Sequence, residues 1–380
     1  MIPLSVPNLN GKEAEYVEDC IRSGWVSTAG KYVSLFEDSF ADFVKKKDAV
    51  STVNGTSALH ISLEMIGVGL NDLVLMPNIT FVASANAISY TGAEPILIDI
   101  DKDTWQMDLK LLREFLSKEC SRTKNNNLIH KKTKKRIAAI MIVHVQGGMV
   151  NMEEILKISL EYNLPLVEDA AEALGSKFDG KSAGSFGVFG CYSFNGNKIM
   201  TTGGGGMIVS NNEELLDKAR HIVTTAKTDP LRYFHDEVGY NYRLVNVLAA
   251  IGLAQLEQLQ DFINKKDMIA SFYMKNLKNV GDITFQKYED KVTPNHWLFT
   301  IKTSHMEDLL KFLNDKNIIS RPFWMPMSEL PMYSKCTYYN FDDICSDIHK
   351  DSLSIPCSTN ISQEELEEVC CSIKDFFDNT

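Results

Sequence analysis

This chain of 380 residues predicts an α/β fold on a parallel or mixed central sheet, followed by a smaller α+β part. Short apolar runs alternate with helical stretches from about residue 48 to residue 210. Several of those runs are apolar almost throughout, as strands buried on both faces are. Beyond about residue 245 the alternation gives way to a mixed pattern.

Strands are expected at residues 49–53, 73–76, 95–100, 137–143, 164–168, 190–194 and 207–210. The helices between them have readable starts. Thr56 or Ser57 opens a helix over 58–66, since a hydroxyl at an N-cap takes up a free N–H of the first turn. Asn151 with Glu154 makes a capping-box-like start for a helix over 152–162. The stretch 118–136 carries Lys131, Lys132, Lys134, Lys135 and Arg136 behind three asparagines. It reads as a solvated loop before a strand, with a basic interaction patch as the alternative. A long helix over 245–263, apolar at Leu248, Ile251, Leu256 and Leu259, is expected to run from the first domain into a second. The division is then an N-terminal segment and large α/β domain at 1–245, and a linking helix with a small α+β domain at 246–380. In the second part a strand is expected at 297–302. Ser304 with Glu307 and Ser362 with Glu365 each form a Ser-x-x-Glu capping box.

Bulk properties exclude several function classes. The net charge of −11, from 50 acidic against 39 basic residues, argues against nucleic-acid binding by phosphate attraction. The eight cysteines include no Cys-x-x-Cys pair and no nearby His at zinc spacing, so reduced thiols and no metal site are expected. The N-terminus has no basic region leading into an apolar core, and no apolar run reaches the roughly 18 residues that span a bilayer. A soluble, cytoplasmic protein without a membrane partner is expected.

Three segments place polar groups at strand ends, where ligands of open α/β sheets collect. Asn-Gly-Thr-Ser at 54–57 joins a strand to a helix whose N-terminal N–H groups would suit a phosphate. The alternative is that Thr56 and Ser57 merely cap the helix. Asp169 falls just past the apolar run ending at Val167, where a carboxylate is expensive unless it meets a cation; a helix N-cap is the competing use. Lys198 sits in a polar turn between two apolar strands, followed by glycines 203–206 and preceded by Ser193, whose hydroxyl could help hold a phosphate. A lysine trapped there loses hydration and shifts toward the neutral, nucleophilic amine of Schiff-base chemistry. Most lysines are solvated, and a surface lysine in a hairpin loop is the plain alternative. His144, with no partner His or Cys in range, reads as structural. The glycine run precedes a strand instead of following one, which excludes a dinucleotide-binding dehydrogenase.

A phosphate cradle, a strand-end aspartate and a downstream lysine, in that order, are used by pyridoxal phosphate enzymes of fold type I. With them stand Gly-Trp-Val-Ser-Thr-Ala-Gly at 24–30, Pro-Asn-Ile-Thr-Phe-Val-Ala-Ser at 77–84, His-Val-Gln-Gly at 144–147 and Glu-Asp-Ala-Ala-Glu at 168–172. Gly-Tyr-Asn-Tyr-Arg at 239–243 and Arg-Pro-Phe-Trp-Met-Pro at 321–326 complete the set. On these motifs the chain resembles, over essentially its whole length, the DegT/DnrJ family of pyridoxal-phosphate-dependent sugar aminotransferases. The Asn-Gly-Asn-Lys-Ile-Met-Thr-Thr-Gly-Gly-Gly-Gly run at 195–206 is narrower. It resembles the branch that aminates nucleotide-linked 4-keto-6-deoxy sugars in legionaminic-acid-type and perosamine-type pathways.

The resemblance implies an aspartate-aminotransferase-like large domain with a mostly parallel sheet, and pyridoxal 5′-phosphate alternating with pyridoxamine phosphate. Lys198 would bond the cofactor and shuttle protons, Asp169 would pair with its ring nitrogen, and Phe81 would stack on the ring. Thr56, Ser57 and Ser193 would hold its phosphate, and Glu172 would sit near the ring hydroxyl or the sugar. Asn241 and Arg243 would reach the neighbouring subunit's site, which implies a homodimer. Trp25, His235, Arg321 and Trp324 would be sugar-nucleotide contacts. Glutamate is the expected amino donor, and the C4 ketone of a nucleotide-linked 2-acetamido-2,6-dideoxy sugar the expected acceptor. A 3-keto hexose, an 8-keto octulosonate and a sugar dehydration remain as alternatives, the last disfavoured because relatives that dehydrate carry His at the lysine position.

Overall fold

The computed structural model describes residues 1–229 and 231–379. Its centre is an eight-stranded sheet: β1 (Asp48–Thr52), β2 (Leu73–Pro77), β3 (Glu94–Ile98), β4 (Ile137–Val143), β5 (Leu166–Asp169), β6 (Phe189–Ser193), β7 (Gly206–Ser210) and β8 (Tyr338–Tyr339). The spatial order is β1-β7-β6-β5-β4-β2-β3-β8. Every pairing is parallel except the two made by β7. β1 to β7 match the seven expected strands. β8 is an addition: two half-buried tyrosines from the C-terminal part extend the sheet beside β3, a run too short to stand out in the sequence.

The sheet is buried on both faces, which is why its strands read as unbroken apolar runs. Leu73 and Leu75 enter one core cluster while Val74 and Met76 enter the other, following the two-residue period of a strand. A second, antiparallel sheet has Phe299–Lys302 and Ser352–Ile355 at its centre, with Thr284–Phe285 and Arg321–Pro322 at its edges. Its core joins Tyr273, Ile301, Leu313, Ile355 and Ile373 with Ile2 from the N-terminus. Among the described residues no helix is long and apolar enough to cross a membrane.

Several local expectations change. The helix after β1 spans Gly55–Met65, and its cap is Asn54, whose Oδ1 accepts from Ser57 N at 2.8 Å. Thr56 and Ser57 therefore lie inside the first turn. The long helix is two, Asn246–Glu257 and Leu259–Leu277, broken at Gln258, whose amide turns to Glu13 at 2.9 Å and to Ala254 O at 3.2 Å. The first of them packs on Glu13–Ser23 and Lys31–Val44 through small residues. A Cβ on Gly252 would come within 2.8 Å of the Phe36 ring. Ser304 caps nothing: its N–H and Oγ both bond Asp282, and the helix Met306–Asp315 starts after His305. The Ser362 capping box forms as expected. Asn151 caps Met152–Tyr162, but Glu154 bonds Arg113 instead of reaching back. The front of the basic stretch folds into a hairpin, Cys120–Arg122 against Leu128–His130, while Lys131, Lys132 and Lys134 lie exposed in the turn before β4, as expected. The strand expected from 297 starts at Phe299, because Asn295 Oδ1 takes the Trp297 N–H at 2.9 Å and holds it off the ladder.

Candidate active site

At the carboxyl edge of the sheet, a cavity of about 370 Å³ opens between the strand ends and the segments around Trp297 and Arg321. Its floor is built from close main-chain approaches. A Cβ on Gly55 would lie 2.7 Å from Ser193 Cβ, and one on Gly206 would lie 2.5 Å from the Asn54 carbonyl. Only glycine lets the first helical turn, the end of β6 and the start of β7 meet so closely. Thr56 and Ser193 both line the cavity at the positive N-terminus of the Gly55–Met65 helix. Ser57, buried one position deeper, is not part of the lining.

Lys198 is presented by a loop closed at its base by Phe194 N to Gly205 O, 2.8 Å, and Thr202 N to Phe194 O, 2.9 Å. Lys198 is half-buried and lines the cavity, with Nζ 3.7 Å from the centre of the Trp297 ring. Asp169 ends β5 and is buried; Ser84 Oγ donates to its Oδ2 at 2.7 Å and Ala171 N to its Oδ1 at 3.1 Å. Glu172 is equally buried, held by Gln146 N at 2.8 Å. Gln146 adopts φ 54°, a left-handed conformation that aims its N–H at this carboxylate.

Burial dominates the electrostatics. It raises Asp169, raises Glu172 to about 7 and lowers Lys198, while attraction between the lysine and both carboxylates works against each shift. A buried carboxylate held by two donors, still pushed toward protonation, is a receptor for a cation.

Phe81 is 54% exposed at the cavity rim, so one ring face is free. Arg321 and Trp324 line the opposite wall. The remaining expected residues stand apart. Trp25 borders a separate surface pocket, and exposed His235 bonds Thr225 O through Nδ1 at 2.7 Å. Asn241 bridges to Thr224 and Arg243 to Thr52, and neither side chain enters this chain's own cavity. Arg243 Nε is buried with no hydrogen-bond partner among the described residues.

His144 is buried and does not line the cavity. Its Nε2 lies 2.9 Å from Glu168 Oε2, and Glu168 also gathers the N–H groups of Gly184, Phe186 and Gly187. Reading the sequence missed Trp297, assigned to a strand, and gave no role to Ser84 or Gln146. The spacing of Thr80 and Ser84, four apart just after an apolar strand, was the one available signal for the support under Asp169.

The model of the DegT/DnrJ/EryC1/StrS aminotransferase family matches residues 7–374. The chain belongs to this family. A relative named GDP-perosamine synthase, from Escherichia coli O157:H7, is 39% identical over 99% of this chain and 98% of its own length. A transaminase of Campylobacter jejuni, named for UDP-4-amino-4,6-dideoxy-N-acetyl-beta-L-altrosamine, is 30% identical over 97% of this chain and 96% of its own. Among solved structures, the aminotransferase TlmJ of Streptoalloteichus hindustanus superposes with a TM-score of 0.89 at 25% identity, covering 100% of this chain and 99% of that one. Like other DegT/DnrJ aminotransferases, the protein is a pyridoxal-phosphate-dependent enzyme of fold type I. The residues present fit that cofactor: a glycine-lined cradle for its phosphate, a buried carboxylate in need of a cation, and a desolvated lysine, all on one cavity.

Proposed function

We propose that the enzyme transfers an amino group from glutamate to the C4 ketone of a nucleotide-linked 4-keto-6-deoxy sugar. One observation carries this reading: Lys198, Asp169 and the Gly55 helix N-terminus converge on one cavity whose opposite wall offers Arg321 and Trp324. Relatives named for GDP-perosamine and for a UDP-linked 4-amino-4,6-dideoxy sugar support C4 as the aminated carbon.

When bound, the cofactor supplies a ring that accepts the electron pair left as a C–H bond breaks. The chain supplies the rest. Thr56, Ser193 and the first-turn N–H groups hold the phosphate. Asp169, fixed by Ser84, keeps a proton on the ring nitrogen. Phe81 covers one ring face. Lys198 Nζ, desolvated and able to become neutral, takes the proton from the donor's α carbon and returns one to the carbon that receives the amine. Glu172 keeps its place beside Lys198, within reach of the ring hydroxyl or the sugar. Arg321 offers the wall's cation to carboxylate or diphosphate, and Trp324 a flat apolar face to the sugar.

The same proposal takes the chain as a two-domain homodimer. Asn241 and the unpartnered Arg243 Nε then serve the neighbouring subunit's site, and Trp25 and His235 would contact substrate only across that junction. Incubation with glutamate and a panel of GDP-, UDP- and dTDP-linked keto sugars, with amino sugars detected by mass, tests the assignment. Conversion of 4-keto-6-deoxy substrates is expected. Turnover of only a 3-keto hexose or an 8-keto octulosonate would move the acceptor, and loss of a hydroxyl without amine gain would mean dehydration. Mixing Lys198→Ala with Arg243→Ala protomers should restore part of the activity if sites are shared.

A further inference from the structure

We infer that Trp297 is a positioning residue for the reaction: its indole face is where the free Lys198 ammonium rests, and this contact sets how readily the amine gives up its proton. The inference rests on the proposed role of Lys198 as the reacting amine, but its test needs no turnover.

The indole is joined to the lysine twice. Its ring lies 3.7 Å from Nζ, and its Nε1–H donates at 2.7 Å to the carbonyl of Asn197, the residue just before the lysine. Ring and lysine loop are therefore locked in register. The main chain of Trp297 is fixed as well. Its N–H goes to Asn295 Oδ1 at 2.9 Å, and its carbonyl accepts from Lys266 Nζ at 2.7 Å. Lys266 is itself buried and spends its charge on main-chain carbonyls and Cys357. With 3% exposure, Trp297 has no freedom to turn away.

Among the described residues, Lys198 Nζ makes no hydrogen bond and no ion pair. The ionisable groups facing it are Asp169 at the end of β5 and Glu172 in the turn that follows, with His144 behind Asp169 and Arg321 across the cavity. The two carboxylates act on the lysine through their field. The direct hold on the ammonium is the negative face of the indole, strongest where water is excluded. Such a hold is non-directional: it steadies the ammonium without fixing any N–H, so Nζ can swing toward a substrate carbon. An ion pair at hydrogen-bond distance would instead pin both atoms and proton.

The test is the titration of Lys198 in the full-length protein freed of cofactor. It is read by competitive labelling with acetic anhydride across a pH series and mass analysis of the Lys198 peptide. Removing the face in Trp297→Leu takes away stabilisation of the charged form, so the midpoint should fall by about 0.5–1.5 pH units. Labelling one unit below the wild-type midpoint should rise several-fold. Trp297→Phe, which keeps a ring but loses the bond to Asn197, should fall in between. A folded Trp297→Leu protein with an unchanged midpoint would overturn the inference. Should Trp297→Leu not fold, the emission difference between wild type and Trp297→Phe decides. It must change with pH at the Lys198 midpoint and lose that change in Lys198→Met; a difference that is flat with pH overturns the inference equally. If no keto sugar is aminated but the Lys198 midpoint still depends on Trp297, the substrate assignment fails and this inference stands.

Discussion

The floor and the wall of the cavity are built differently. On the floor, polar groups have partners in place before any ligand arrives: Asn54 holds Ser57 N–H, Ser84 holds Asp169, and Gln146 N–H holds Glu172. Asp169 ends a central strand and the others sit in the caps and first turns that follow such strands, so moving them disturbs the largest core. The wall around Arg321 and Trp324 hangs on a two-residue edge strand, and among the described residues the Arg321 guanidinium bonds only the neighbouring Ser320 carbonyl, at 2.9 Å. A preorganised floor keeps the chemistry constant, because fixed dipoles need not reorganise during the reaction. A lightly tethered wall can change residues without cost to the sheet, which suits substrate selection.

The sharpest way to break this contrast is on the floor. Lys198→Ala should lower amino transfer by about a thousandfold or more. It should leave the melting temperature of the cofactor-free protein equal or higher, since a desolvated cation has gone; an active variant would remove the assignment. Asp169→Ala should lower kcat by roughly a hundredfold, as loss of one fixed charge partner does. A wall substitution should look different: Arg321→Ala should raise the sugar-nucleotide KM about tenfold with a smaller change in kcat. An equal fall in kcat would mean that Arg321 belongs to the floor.

Glu172 offers a pH test. Its pKa is raised in the folded protein to about 7 from the usual 4.5. Between those values the folded chain holds a proton that the unfolded chain has released, so this group's stabilisation is full below about pH 4.5 and is lost as the pH rises through about 7. Urea titrations of the cofactor-free protein between pH 5 and pH 8 should show wild type losing stability relative to Glu172→Gln as pH rises. Parallel curves would place Glu172 in water. The smallest effect is expected at the helix cap, where Asn54→Ala should cost about 1 kcal/mol in the same titrations, against almost nothing for Thr56→Ala.

Much of this molecule was readable from the chain. The seven central strands were visible because burial on both faces leaves unbroken apolar runs. The order of cradle, aspartate and lysine was visible because each falls at the end of such a run. Capping was readable at Ser362, where both halves of the motif turn on each other. It misled at Ser304, where Asp282 from another segment competed for the same hydroxyl and N–H. The break at Gln258 and the eighth strand were hidden for a related reason: a glutamate 245 positions away holds the first, and the second pairs residues 338–339 with residues 97–98.

By itself, then, the sequence determined the α/β order, the strand ends that carry the polar groups, and the lysine proposed to react, because local patterning and burial operate along the chain. Tertiary structure alone decided what surrounds that lysine: Trp297 against its ammonium, Ser84 under Asp169, Gln146 on Glu172. Each of these joins segments far apart in sequence, and no local rule of spacing records which side chain a folded chain will lay against another.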